Sequence, residues 1–228
     1  MAARDNAGVI IFEPVIETVD AREFTAWPTA TRPGLGWLAL SGDLVQADVG
    51  TVIAAIAVYN GIASEDDAQP SAARLIEDII EAECLIAQGG LRVRDTETDQ
   101  AVNPGCCFGL EDWSQWNQVA AGQPLWLGHS PEPWVEHLES TVRLWPSGGN
   151  RAVPSAGASP IEIPSGDLPR LVAGAHRQFQ QFLGLLESWA LPLAAASAPR
   201  LAPALATHFR VSWPAPGAAY PPVGDRHS

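Results

Sequence analysis

Lysine is absent from this 228-residue chain: all 13 of its basic residues other than histidine are arginine. No lysine is therefore available to hold a phosphate, and neither a P-loop nor a G-x-G-x-x-G pattern occurs. Positive charge is scarce altogether. Against 26 Asp and Glu, the formal net charge is −13, which repels nucleic-acid phosphates and disfavours direct DNA or RNA binding. Long apolar runs are missing too. Stretches such as Val52–Tyr59 fall far short of the roughly 20 residues a membrane span needs, so no membrane association is expected. The opening residues Met1–Asn6 carry one arginine and lead into no long apolar core. A signal peptide is not indicated, and a cytoplasmic location is expected. Cysteine is limited to Cys84, Cys106 and Cys107. An odd count with two adjacent residues is a poor disulfide framework and suits a reducing compartment.

Hydrophobic residues make up 46% of the chain and nine are tryptophan, enough for a substantial core. The length suits one domain. We expect a single α+β domain over residues 1–213 and a flexible C-terminal tail over 214–228.

Strand signals open the chain at Val9–Phe12 and Val15–Val19. Apolar residues at Leu44, Val45, Val49, Val52, Ile53, Ile56 and Tyr59 have helical spacing, with Asp43 placed to cap and Asn60-Gly61 to terminate. The stretch Val52–Tyr59 is β-branched enough to read as a buried strand instead. A second helix is predicted over Ser71–Gln88, followed by strands at Leu91–Arg94 and Ala101-Val102. Asn103–Cys107 reads as a sharp turn before a helix from Leu110 to Ala121. Strands are expected at Leu125–Leu127, Trp134–Leu138 and Thr141–Trp145, then a loop over Ser147–Pro160 and a return to the sheet at Ile161–Ile163. The clearest periodicity predicts one helix over Leu168–Ala190, capped by Asp167, with Leu171, Val172, Ala175, Phe179, Phe182, Leu183 and Leu186 on its core face. Leu193–Phe209 has helical character broken by Pro199 and Pro203. The elements do not alternate as βαβ units, so the expected fold is α+β: a mostly antiparallel sheet with helices packed on it.

Three groups of residues could carry function. Cys106, Cys107 and His129 offer thiolate and imidazole ligands for zinc. They could also form a nucleophile–base pair, since the cysteines precede a predicted helix start that can lower a thiol pKa. The spacing matches no C-x-x-C or H-x-x-x-H pattern, and Glu111 and Asp112 would oppose a thiolate. The alternative is structural: one cysteine buried, the other fitting the turn. A second group is acidic. Glu65, Asp66 and Asp67 form a loop, while Glu77, Asp78 and Glu81 place like charges at i, i+3 and i, i+4 on a helix. A face that keeps such repulsion suits a cationic partner, or is simply solvated. The third group is the five tryptophans between Asn103 and Trp145, which serve either as core or as a binding face. His176, at the edge of the long helix's apolar stripe, reads as structural.

The segment Val102–Trp113 (VNPGCCFGLEDW), with Trp126–Trp134, Val142–Trp145 and Ser188–Ala190, resembles a group of small actinobacterial proteins that carry a PGCCFGLEDW-type segment. The likeness covers roughly residues 40–190. Some proteins of that kind resemble immunity proteins, which neutralise a toxin by binding it in the cytoplasm. The resemblance thus implies an acidic protein that occludes a basic toxin domain. The expectation is a non-enzymatic binding protein without a cofactor, its partner surface built from Glu65, Asp66, Asp67, Glu77, Asp78 and Glu81. The alternative is a thiol- or metal-dependent enzyme centred on Cys106, Cys107 and His129.

Overall fold

A computed structural model describes residues 9–18, 24–30, 36–63, 71–147 and 159–213. The expected tail lies outside these residues, as do the acidic loop residues Glu65, Asp66 and Asp67 and most of the Ser147–Pro160 loop.

Strand β1 (Ile10–Glu17) is the spine of the first sheet. It pairs antiparallel with β2 (Trp37–Ala39) on one side and with β3 (Gly89–Asp95) on the other, and β4 (Gln100–Val102) closes the order β2-β1-β3-β4. Register is supported by charge: Glu13 lies opposite Arg92, and the two side chains meet at 2.8 Å. Pro14 explains why β2 is short. Its carbonyl accepts the Leu40 N–H at 2.7 Å, but proline has no N–H to return, and β2 ends at Ala39.

Helix α1 (Gln46–Tyr59) settles the ambiguity at Val52–Tyr59 in favour of helix. Every residue from Val49 to Ala57 is buried, so the helix is enclosed on all sides and shows no polar stripe. Asp43 does not cap it. The N-cap position is Val45, without a side-chain bond, and the Asp43 N–H turns to Ser41 Oγ. At the other end, Asn60 Nδ2 donates to the Ile56 carbonyl. Helix α2 (Ala72–Glu81) stops seven residues before the predicted Gln88. At Ala82 the backbone turns extended (ψ 133), leaving Cys84 exposed rather than on a buried stripe.

A 3-10 turn over Leu110–Gln115 leads into α3 (Trp116–Ala120), in place of one continuous helix. Leu125–Leu127 forms no strand; Trp126 makes only an isolated bridge to Trp134. Strands β5 (Trp134–His137), β6 (Thr141–Trp145) and β7 (Ile161–Pro164) form a second antiparallel sheet. Its alternating residues Val142, Leu144, Ile161 and Ile163 point into the same buried cluster as the first sheet.

The predicted long helix is two. Helix α4 (Leu168–Leu183) packs on β1, and α5 (Leu186–Ala190) follows a break at Gly184-Leu185. Asp167 makes no capping bond; its carboxylate pairs with Arg170 at 3.4 Å. Helix α6 (Ala198–His208) runs through Pro203 despite the bond that residue cannot make, with Pro199 tolerated in the first turn. It packs against α2 and α5. The fold is thus α+β, with helices packed on antiparallel sheets, though the strands divide into two sheets rather than one. Among the described residues, no helix is long and apolar enough to cross a membrane.

Candidate functional site

The turn predicted at Asn103–Cys107 is clamped from both sides by main-chain hydrogen bonds. On one side, the Gly105 N–H donates to the Leu127 carbonyl (2.7 Å), the Cys106 N–H to that of His129 (2.7 Å), and the His129 N–H returns to Cys106 (3.0 Å). On the other, Gly89 and Leu110 donate to Phe108 and Ala87. Two glycines permit the crossing. A Cβ on Gly105 would fall 2.3 Å from the Pro131 carbonyl oxygen, and one on Gly128 (φ +91) 2.5 Å from that of Cys106. Glu111 ties the same loop to Ala87, whose N–H it accepts, and burial pushes its carboxyl above the usual range.

This crossing brings Cys106 and Cys107 to His129. One ligand atom from each lies within 4.8 Å of the other two. Both cysteines and the histidine are exposed. The two sulfurs stand 3.3 Å apart. Successive side chains of an extended strand point to opposite sides; Cys107 departs from that with φ 66. The structural alternative, with one cysteine buried, is not what is observed. Nor does the site look like a poised nucleophile. The Cys106 thiol is pushed up, chiefly by its hydrogen bond with Cys107, then by partial burial and the charges of Cys107 and Glu17. Glu17 was not legible as a neighbour, because it sits at the end of β1, far away in sequence. A zinc ion bound at about 2.3 Å to sulfur and 2.0–2.1 Å to nitrogen would hold its donors roughly 3.5–3.8 Å apart, so the sulfurs, at 3.3 Å, would part slightly and the widest pair, within 4.8 Å, would close by up to about an ångström.

Trp126 stands beside this group, 51% exposed, with its ring 6.3 Å from that of His129 and 6.4 Å from Phe108. The remaining tryptophans of the region are more enclosed. Trp113 and Trp116 are buried, Trp116 edge-on to Phe12 at 4.7 Å. Trp134 and Trp145, cross-strand partners, stack at 5.7 Å. Beside them, Gly122, Pro124, Trp134, Val135, Glu136 and His137 line an open hollow of about 430 Å³. Two of its polar groups are already engaged: Glu136 accepts Trp145 Nε1, and His137 Nε2 bonds the Gln123 carbonyl. His176 stacks on Trp113 at 5.3 Å.

Of the acidic group, Glu77 is engaged within the chain. Ser197 Oγ donates to one carboxylate oxygen at 2.5 Å and Arg200 to the other at 2.6 Å. Ser197 first, then Arg200, hold its carboxyl below the usual range. Asp78 pairs with Arg74 at 3.5 Å. Glu81 is exposed at the end of α2, whose last turn holds no basic residue.

The protein is thus α+β, and on its surface two sulfurs and an imidazole lie close enough together that they could hold a metal ion. The chain matches no known protein family, no curated protein and no solved structure.

Proposed function

We propose that this is a metal-binding protein whose Cys106, Cys107 and His129 take up a thiophilic d10 ion, zinc(II) or copper(I). The observation that carries this reading is the convergence of three soft or borderline donors within 4.8 Å, on a turn held by main-chain bonds from both sides. Two thiolates and one imidazole match the preference of these ions over hard, oxygen-seeking ones. Three protein ligands at an exposed position leave a fourth coordination place for water or an exchanging ligand. Zinc titration of the reduced protein against a chromophoric chelator tests the reading. C106S, C107S and H129A should each weaken binding by at least the roughly 10–100-fold that loss of an outer-shell partner costs. Equal affinity in wild type and in a C106S/C107S double variant would refute it.

A second reading keeps the acidic surface as the working part, in the manner of an immunity-type protein that occludes a basic toxin domain. Its support is Glu81, exposed at the carbonyl end of α2 with no basic residue in that turn. A negative charge there opposes the helix dipole, and a cationic partner would relieve it. Glu65, Asp66 and Asp67, expected from the sequence to share this role, lie outside the described residues. Co-purification of a stoichiometric basic partner, released by Glu81→Arg, supports this reading; no such partner removes it.

A further inference from the structure

We propose that Cys106 and Cys107 are a redox couple that gates the metal centre: oxidation joins their sulfurs in a disulfide between adjacent residues and takes both away from the ion. The sulfurs are already 3.3 Å apart, and both side chains are open to a small oxidant. The left-handed backbone at Cys107 supplies the turn that neighbouring cysteines need to face each other. The bonds to His129 and Leu127 hold the main chain on the Cys106 side. The remaining cysteine, Cys84, belongs to no such group among the described residues.

A bridge between neighbours is a switch rather than a staple. It joins Cα atoms about 3.8 Å apart, short of the roughly 4.4–6.8 Å that ordinary bridges span. Strained and exposed bridges of this kind are the readily reduced, regulatory ones. Adjacent residues also enclose almost no loop, so the bridge restricts the unfolded chain very little.

The oxidant is a peroxide. One cysteine attacks a peroxide oxygen through the minor thiolate fraction in equilibrium with its thiol, a slow step for a site that is not a poised nucleophile; the O–O bond breaks, hydroxide departs and is protonated to water, and a sulfenic acid remains. The second thiolate attacks that sulfur, the S–S bond forms, and the sulfenic oxygen leaves as a second water. Two thiols and one hydrogen peroxide become one disulfide and two waters: each sulfur gives up one electron and the peroxide takes both. A dithiol reductant reverses the bond by exchange. Because metal ligation needs both sulfurs as thiolates, the disulfide leaves His129 as the last of the three ligands.

The gating half of this proposal rests on the metal-binding reading; the disulfide does not. The experiment uses full-length C84S, in which Cys106 and Cys107 are the remaining thiols. One equivalent of hydrogen peroxide on the metal-free protein should lower the intact mass by two hydrogens, abolish thiol titration without forming dimers, and be undone by dithiothreitol. Zinc affinity should fall by roughly tenfold or more on oxidation and return on reduction, and zinc-loaded protein should oxidise correspondingly slower. Sulfinic products or intermolecular dimers in place of the mass loss overturn the couple, whatever the zinc result. A disulfide form that binds zinc as tightly as the dithiol overturns the gating. A disulfide that forms in a protein whose reduced state binds no zinc overturns the metal reading and the gating with it, leaving the couple standing. C107A, which lacks the partner sulfur, should show no mass loss of this kind.

Discussion

His176 shows how one side chain can set a pH response. Its Nε2 accepts the Ser212 N–H at 3.2 Å, and its ring lies flat on Trp113, so the neutral imidazole is the form the fold uses. Burial, then the charge of Arg177, depress its pKa below the ordinary 6.5. The unfolded chain therefore takes up a proton at higher pH than the folded one. The stabilisation is complete above 6.5 and is lost as pH falls through the depressed value. His208, depressed by burial, acts in the same direction. Urea unfolding should give a lower stability at pH 5.5 than at pH 7.5, and H176Q should shrink that difference; an unchanged difference would exclude His176 as its source. Gly128 makes the second residue-scale case. With φ +91 and Cys106 oxygen in the way of a Cβ, Gly128→Ala should cost about 1–3 kcal/mol and weaken zinc binding as well, read by denaturation and by chelator competition. The cysteine pair was plain in the sequence and His129 could be named as a candidate partner, but nothing in the sequence required the three to meet. That contact depends on two loops crossing at Gly105 and Gly128, and no local spacing rule encodes it. In the same way, the charges of Glu77 and its helix neighbours were legible, while the partners Ser197 and Arg200, 120 and more residues away, were not.

At the scale of elements, periodicity was a good guide to which segments are helical and a poor one to where they end. The stripe Leu171–Leu183 appears as predicted on α4. Its continuation to Ala190 is interrupted because the chain turns at Gly184-Leu185 to send α5 toward α1 and α6, a demand set by packing. The early end of α2 at Glu81 has a related cause: Ala87 and Gly89 must extend to bond Leu110 and Phe108. Alternation of buried and exposed positions identified β6 and β7, while Leu125–Leu127, apolar without a strand partner along its length, was misread. Gly174 lies inside α4, and a Cβ there would meet nothing closer than 3.9 Å. Gly174→Ala should therefore stabilise the protein by about 0.5–1 kcal/mol, seen as a higher urea midpoint with an unchanged slope.

For the whole molecule, metal binding and folding should be linked. The proposed ligands come from two loops that meet only in the folded chain, so an ion bound there would favour the native state. Zinc at about 100 times its dissociation constant should add about 2.7 kcal/mol, a rise in Tm of roughly 5–10 °C for a chain of this size. C106S/C107S should show no rise. A wild-type Tm indifferent to zinc, with binding established separately, would mean that the unfolded chain holds the ion as well.

The lengths of the outermost strands carry a consequence for life at high concentration. β2 and β4 flank the first sheet with three residues each, and β5 and β7 flank the second with four. A neighbouring molecule looking for a row of free amides and carbonyls to zip onto finds only a stub, which discourages templated fibre growth.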